Sequence, residues 1–403
     1  MKKKLGIVIN RDKRVTQHEY SEVKILSNRK AKSKKSTSNE EYQSLLCKLE
    51  TKSLEKNKKL TAVSLFAGCG GFSLGFSAGG YSIKGFVELQ ESLRDIYKQN
   101  FPDTFEIGSD ITQVTNEKIF EFKKSVGSID VIIGGPPCQG FSLAGKRDIK
   151  DSRNKLFLHY LRFVEILRPK IAIMENVRVL TSMKDENGKS VKDEIQLEFK
   201  NRGYNVDYFE VNAKDYGVPQ HRERVLFVAV REDLKMVPAI PSATHGKLGD
   251  LFSKESPHRT FADACSDLPY IESGGSSQDT LHVAVKHPKH VIDWLWDVPE
   301  GKSAHDNEDV QKRPPSGYNT TYKRQVWTQP ASTVQTTFGM ISGSNNVHPI
   351  ATRSLTIREA ARIQSFPDNY KFIGTLGAIR TGIGNAVPPL LAFNLAVFFK
   401  KFL

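Results

Sequence analysis

The strongest constraint on this chain is a rhythm that begins near residue 61, where short apolar runs alternate with stretches of helical periodicity. The runs are Thr61 to Ala67, Ser82 to Val87, Ile129 to Ile133, Lys170 to Met174, Asn205 to Val211 and Arg224 to Val230. Nearly continuous apolar runs of this length mark strands covered on both faces, so these six are expected to be parallel and buried. Between them, Asn154 to Leu167 sets Leu156, Tyr160, Phe163, Val164 and Leu167 on one helical face before Pro169 stops it. Strand and helix in alternation predict an α/β fold with a doubly wound, Rossmann-like sheet.

Between about 232 and 350 the rhythm gives way to Pro-, Ser-, Gly- and His-rich sequence with scattered aromatics, among them Trp294, Trp296, Tyr318, Tyr322 and Trp327. This predicts a smaller, loop-rich second domain. Helical periodicity resumes at Leu355 to Ser365 and Pro388 to Phe399, too short a stretch to fold alone, so 351–403 is expected to complete the domain begun by 61–231. Residues 1–60 hold seventeen Lys and Arg against seven Asp and Glu. They read as a basic extension, solvated and partly disordered, with a DNA arm or a small helical module as the alternative.

The formal charge of +14 over 403 residues favours a polyanionic partner, because Lys and Arg release counterions from phosphate backbones. The four cysteines, at 47, 69, 138 and 265, have no CxxC spacing. That argues for a reducing compartment and against a structural metal. The apolar run Leu5 to Ile9 is too short for a secretory core, and no stretch approaches a membrane span, so a cytoplasmic protein without a membrane partner is expected.

Two glycine-rich turns carry candidate chemistry. Ser64 to Phe72 ends a strand with glycines where a helix should begin, a geometry that lets backbone approach a nucleotide-like ligand. Glu88 ends the next strand, where a carboxylate can accept both hydroxyls of a ribose. Asp110, in Gly108 to Thr112, could accept from an adenine amino group. The turn lacks the Lys-Ser/Thr ending of a triphosphate-binding loop, so S-adenosylmethionine fits better.

The second turn, Gly134 to Ser142, follows a central strand and presents Cys138 between two prolines and a flexible Gln-Gly pair. A thiolate there can add to carbon 6 of a pyrimidine and make carbon 5 nucleophilic toward a methyl group. That addition needs a partner for ring nitrogen 3. Glu175, at the end of a strand, is the candidate, as a buried carboxyl with a raised pKa. Arg222 and Arg224 stand before another strand and could polarise the pyrimidine O2.

With these blocks in view, the sequence resembles the DNA cytosine-5 methyltransferase family of the bacterial restriction-modification type. The matching segments are Phe66 to Phe72, Gly135 to Ser142, Glu175 to Val177, Gln220 to Arg224, Leu355 to Pro367 and Gly384 to Val387, in the family's order. The resemblance covers 61–231 and about 326–403. It implies methyl transfer from S-adenosylmethionine, with S-adenosylhomocysteine as product and no metal, to a flipped cytosine in double-stranded DNA. Cys138 would be the nucleophile, Glu175 the nitrogen 3 partner and Arg224 the O2 contact, with Arg222 nearby. Phe66, Ala67, Gly68, Gly70, Gly71, Glu88, Asp110, Ile111, Pro136, Asn385 and Ala386 would line the cofactor pocket. The segment from Gln139 to Ser152 looks like a mobile catalytic loop, with Gln139, Ser142, Lys146, Arg147 and Arg153 suited to DNA contact. The 232–325 region matches no family block, as a target-recognition domain would. The resemblance further implies a monomer, with a cognate restriction endonuclease acting on the same site without a stable complex. A tRNA cytosine-5 methyltransferase and a non-catalytic DNA-binding paralogue are the alternatives. The large insert and Gly140-Phe141-Ser142 favour DNA over the first, and the intact site argues against the second.

Overall fold

The computed structural model describes residues 33–137, 156–184, 188–246 and 255–403. Cys138, Gln139, Ser142, Lys146, Arg147 and Arg153 lie outside the described residues. Seven strands form one sheet: β1 (Leu60–Leu65), β2 (Tyr81–Val87), β3 (Phe105–Gly108), β4 (Val131–Gly134), β5 (Ile171–Val177), β6 (Tyr204–Asn212) and β7 (Glu223–Arg231). Their spatial order is β3-β2-β1-β4-β5-β7-β6. The chain builds outward from β1 in one direction and from β4 in the other, so the winding reverses between them. That reversal opens a crevice at the carboxyl ends of the strands, where such sheets bind ligands.

Two features depart from the sequence expectation. The run Arg224 to Val230 is antiparallel to both neighbours, pairing with β5 and β6. Only residues 213–222 separate β6 from β7, fewer than a parallel crossover needs, so the chain doubles back. The edge strand β3 went unanticipated because its four residues, Phe-Glu-Ile-Gly, carry little apolar signal.

Side-chain alternation gives the sheet two cores. Val63, Leu65, Ile132, Ala172 and Met174 face one side, and Ala62, Val131, Ile133, Ile171 and Ile173 the other. The described α-helices are α1 (Asn39–Ser53), α2 (Gly71–Ala78), α3 (Glu91–Asn100), α4 (Asn116–Val126), α5 (Leu156–Leu167), α6 (Val191–Lys200), α7 (Phe261–Cys265), α8 (Lys289–Leu295), α9 (Ile357–Ile363), α10 (Leu376–Asn385) and α11 (Pro389–Phe399). Apolar residues of α4, α5 and α6 fill the first core; those of α2, α3, α9, α10 and α11 fill the second. Helix α11 lies close along α2. A Cβ on Gly75 would stand 2.4 Å from Cβ of Ala392, so glycine permits the approach. The run Leu376–Phe399 is apolar and long enough to cross a membrane, which the sequence reading overlooked, but most of it is buried in this core.

Over residues 39–53 the chain follows the helical alternative rather than the disordered extension, forming helix α1 with Tyr42, Leu46 and Leu49 buried. The Tyr42 hydroxyl donates to the Arg362 carbonyl at 2.7 Å, and Asn39 Nδ2 donates to the Asp263 carbonyl and to Asp267. Basic composition hid a helix whose apolar residues recur at positions 42, 46 and 49.

Among the described residues of 232–350, regular structure is confined to two two-residue strands, α7, α8 and short 3₁₀ turns. Polar contacts replace ladders there. Buried Arg324 donates to the carbonyls of His348, Ile350, Ala351 and Leu295 and to Thr352. Below it, Arg353 forms a buried two-pronged pair with Glu359 at 2.7 and 2.8 Å. Arg353 Nε also donates to the Ile271 carbonyl at 2.8 Å, which ties the loop-rich region to the α9 segment, and against the effect of burial Arg353 with its neighbours holds the Glu359 carboxyl well below the usual range.

Candidate active site

Gly134, Val177 and Arg224 meet at one edge of the sheet, because β4 and β5 end there and the reversed β7 begins there. The register pairs Gly134 with Met174 and Val177 with Arg224. Antiparallel β7 thus delivers Arg224 to the carboxyl edge, beside Glu175. Nε of Arg224 lies 2.8 Å from Oε1 of Glu175, and its Nη1 donates to the Glu223 carbonyl at 2.7 Å. The sequence places Glu175 and Arg224 around one pyrimidine; the structure adds that the two side chains pair directly.

The other carboxylate oxygen faces the turn that leads to residue 138. A Cβ on Gly135 would stand 3.0 Å from Oε2 of Glu175, so glycine lets the turn pass against the acid without displacing the carboxylate. Asn176 completes the arrangement by donating to the Pro136 carbonyl at 3.0 Å. Glu-Asn in sequence therefore acts as a bracket: the acid faces the turn and the amide holds it. An open cleft of about 610 Å³ passes Arg224, lined also by Arg178, Thr181, Glu210, His221 and Thr333.

Arg222 does not share the position of Arg224. It is fully buried, with Nη1 donating to the Val334 carbonyl at 3.3 Å and Nη2 to the Gly384 carbonyl at 3.1 Å. Burial chiefly, aided by the charge of Arg224 and opposed by Glu175, pushes its pKa well below the ordinary arginine value. Its place is in the scaffold, because it stands just before β7 and its guanidinium is spent on the carbonyls of two distant segments. Sequence reasoning assigned no role to Gln220 and Gln364, yet both are fully buried here. Gln220 Nε2 donates to Gln364 Oε1 at 2.9 Å, Val334 N donates to Gln220 Oε1 at 2.9 Å, and Gln364 Nε2 donates to the Ile383 carbonyl at 2.6 Å. Two glutamines inside otherwise apolar packing were the available signal, since buried amides persist only when paired.

The glycine turn divides by function. Phe66, Gly68 and Gly70 all take positive φ, at 53°, 56° and 96°. Gly68 opens on free space, with no neighbouring atom within 4 Å of a Cβ. Gly70 and Gly71 are packing positions instead: a Cβ on the first would stand 2.6 Å from the Tyr370 hydroxyl, and on the second 2.4 Å from the Val387 carbonyl. Ala67 N donates to the Val87 carbonyl at 3.0 Å, binding the turn to the end of β2. There Glu88 is buried, its oxygens accepting from Gly68 N at 2.7 Å and Gln90 N at 2.9 Å. Burial raises its pKa against those bonds. Asp110 is half-buried, and its Oδ1 accepts from Thr112 N and Oγ1 at 2.9 and 2.8 Å. Ile111 is buried beside it. Asn385, at the end of α10, is exposed and Ala386 buried. Gly68 on open space and Glu88 with unused acceptor capacity on each oxygen suit a ligand bearing a ribose diol.

A glycine turn, an acidic strand end and an acid–guanidinium pair on one edge of a Rossmann-like sheet mark an α/β enzyme that binds a nucleotide-like ligand beside its catalytic edge. The family model for C-5 cytosine-specific DNA methylases matches residues 60–401. Among curated relatives, the Type II methyltransferase M.DdeI of Desulfomicrobium norvegicum is 37% identical over 84% of this chain and 88% of its own. M1.HphI of Haemophilus parahaemolyticus is 34% identical over 84% and 86%. Among solved structures, a candidate DNA modification methyltransferase from an E. coli prophage superposes with a TM-score of 0.67 at 26% identity, covering 85% of this chain and 99% of that one. The chain belongs to the C-5 cytosine-specific DNA methylases and is a DNA (cytosine-5)-methyltransferase of the Type II restriction-modification kind.

Proposed function

We propose that this enzyme transfers a methyl group from S-adenosylmethionine to carbon 5 of a flipped cytosine within a specific double-stranded DNA sequence, as the modification partner of a cytoplasmic restriction-modification pair. The carrying observation is the bracket at the sheet edge: Glu175 paired with Arg224 and set against Gly135, with Asn176 holding Pro136 two residues before Cys138. In this reading the Cys138 thiolate adds to carbon 6 while Glu175 gives a proton to nitrogen 3 and Arg224 takes the charge developing on O2. Carbon 5 then becomes the nucleophile. S-adenosylmethionine, when bound, supplies an electrophilic methyl group. Transfer of the carbon 5 proton to water, return of the nitrogen 3 proton to Glu175 and expulsion of the Cys138 thiolate restore the ring and free the enzyme.

Gly68, Glu88 and the Asp110–Ile111 turn would hold the cofactor, with Phe66, Pro136 and Asn385 on its borders. Gln139, Ser142, Lys146, Arg147 and Arg153 would meet the DNA. Arg222, with Gln220 and Gln364, would act as a positioning residue for the start of β7. The protein would work as a monomer, with an endonuclease reading the same site independently.

Expression in a host lacking cytosine methylation, followed by bisulfite sequencing of its DNA, tests the proposal. Methylation is expected at one short motif and should vanish in Cys138→Ser. Persistent methylation in that variant would refute the assigned nucleophile.

A further inference from the structure

Helix α5 is the first described element after the segment that holds Cys138, and it is mounted at two points. Its Tyr160 hydroxyl lies 3.2 Å from the Ile132 carbonyl and 3.0 Å from that of Ile173, beneath the strands that carry the nucleophile turn and Glu175. The fit there is tight, since a Cβ on Gly134 would stand 3.0 Å from the Tyr160 ring. Two residues along, Arg162 reaches away from the strands. Its Nη2 donates to the Ile111 carbonyl at 2.8 Å and its Nη1 to Asn116 Oδ1 at 3.3 Å.

Ile111 follows Asp110 in the turn assigned above to the cofactor's adenine side. That turn is closed by its own bonds, from Gln113 N and Val114 N to the Asp110 carbonyl and from Thr112 to the Asp110 side chain. Those bonds fix its shape but not its distance from the sheet edge. Arg162 supplies a charge-assisted bond from outside the turn, and such bonds are stronger than neutral ones.

We infer that Arg162 is a positioning residue for the methyl donor, holding the Asp110–Ile111 turn at a fixed distance from the strands that bear the nucleophile turn. The inference rests on the cofactor reading of that turn. Arg162 touches neither reactant. Its effect should therefore fall on cofactor binding rather than on the handling of DNA.

The test uses the full-length enzyme. Affinity for S-adenosylhomocysteine is measured calorimetrically without DNA, and kcat and both KM values are measured with S-adenosylmethionine and a methylatable duplex. In Arg162→Ala the Kd for S-adenosylhomocysteine and the KM for S-adenosylmethionine should rise roughly tenfold, the weight of one hydrogen bond to a charged group. At saturating cofactor, kcat and the KM for DNA should stay within about twofold of wild type. Arg162→Lys, which keeps one charged donor, should recover most of the affinity. Should Arg162→Ala fail to fold, Arg162→Gln carries the same comparison. Unchanged cofactor affinity in a folded variant would overturn the inference, as would a KM for DNA that rises as much as the cofactor's. A wild-type enzyme that binds no S-adenosylhomocysteine would instead overturn the cofactor reading itself.

Discussion

A single missing methyl group decides how close the nucleophile turn comes to its acid. Gly135→Ala would place a Cβ 3.0 Å from Oε2 of Glu175, so either the carboxylate or the turn must move by tenths of an ångström. We predict a folded protein whose kcat falls by roughly 10² or more, since small misplacements of reacting groups carry penalties of that order. A kcat near wild type would show that the bracket is not needed. Glu175→Gln keeps the size of the side chain and the bond from Arg224 but loses the proton donor, and a drop of roughly 10²–10³ in kcat is expected. The glycine turn offers a contrast measurable by melting and by S-adenosylhomocysteine titration. Gly68→Ala meets no neighbour and should cost only about 1 kcal/mol of backbone strain while weakening cofactor binding. Gly71→Ala collides with the Val387 carbonyl at 2.4 Å and should lower stability more than Gly68→Ala does.

Helix α1 is where element-level packing overrides the impression given by charge. Tyr42 is fully buried between α1 and the α9 segment, its hydroxyl on the Arg362 carbonyl and its ring 5.3 Å from the Arg259 guanidinium. Tyr42→Ala is therefore expected to destabilise the protein by about 3–5 kcal/mol, and Tyr42→Phe by about 1 kcal/mol, measured by urea unfolding of the full chain. Equal, negligible effects would mean that the helix is not docked in solution. The same packing sets where a truncation can be informative. Residues 1–32 carry ten Lys and Arg against three Asp and Glu. Deleting residues 2–32 should flatten the salt dependence of DNA binding and leave the methylated motif unchanged. Deletion through residue 60 would also remove α1 and β1's first residue, and would confuse electrostatics with folding.

At the scale of the whole molecule, the loop-rich region is joined to the sheet domain by buried polar side chains, and this makes stability depend on pH. Burial lowers the pKa of His282, takes that of His348 well below its usual value and brings that of His245 to about 4. Each binds its proton more weakly in the folded chain than in the unfolded chain, where the value is near 6.5. Their stabilising contribution is complete above about pH 6.5 and is lost as pH falls toward the folded values. Thermal melting between pH 7.5 and 5.5 should show a falling midpoint, and a flat profile would contradict this account. Much of the molecule was legible beforehand. Strand runs, the glycine turn after β1 and the strand-end positions of Glu175 and Arg224 depend on local patterning, which is why the sheet and the residues at its carboxyl edge could be read from the chain. What the sequence could not determine was direction and partnership. The reversal of β7, the sorting of Arg222 into the scaffold and Arg224 beside Glu175, the burial of α1 and the reach of Arg162 to Ile111 all join residues distant in the chain. Such contacts depend on which surfaces meet once the sheet has formed, and no local periodicity encodes that.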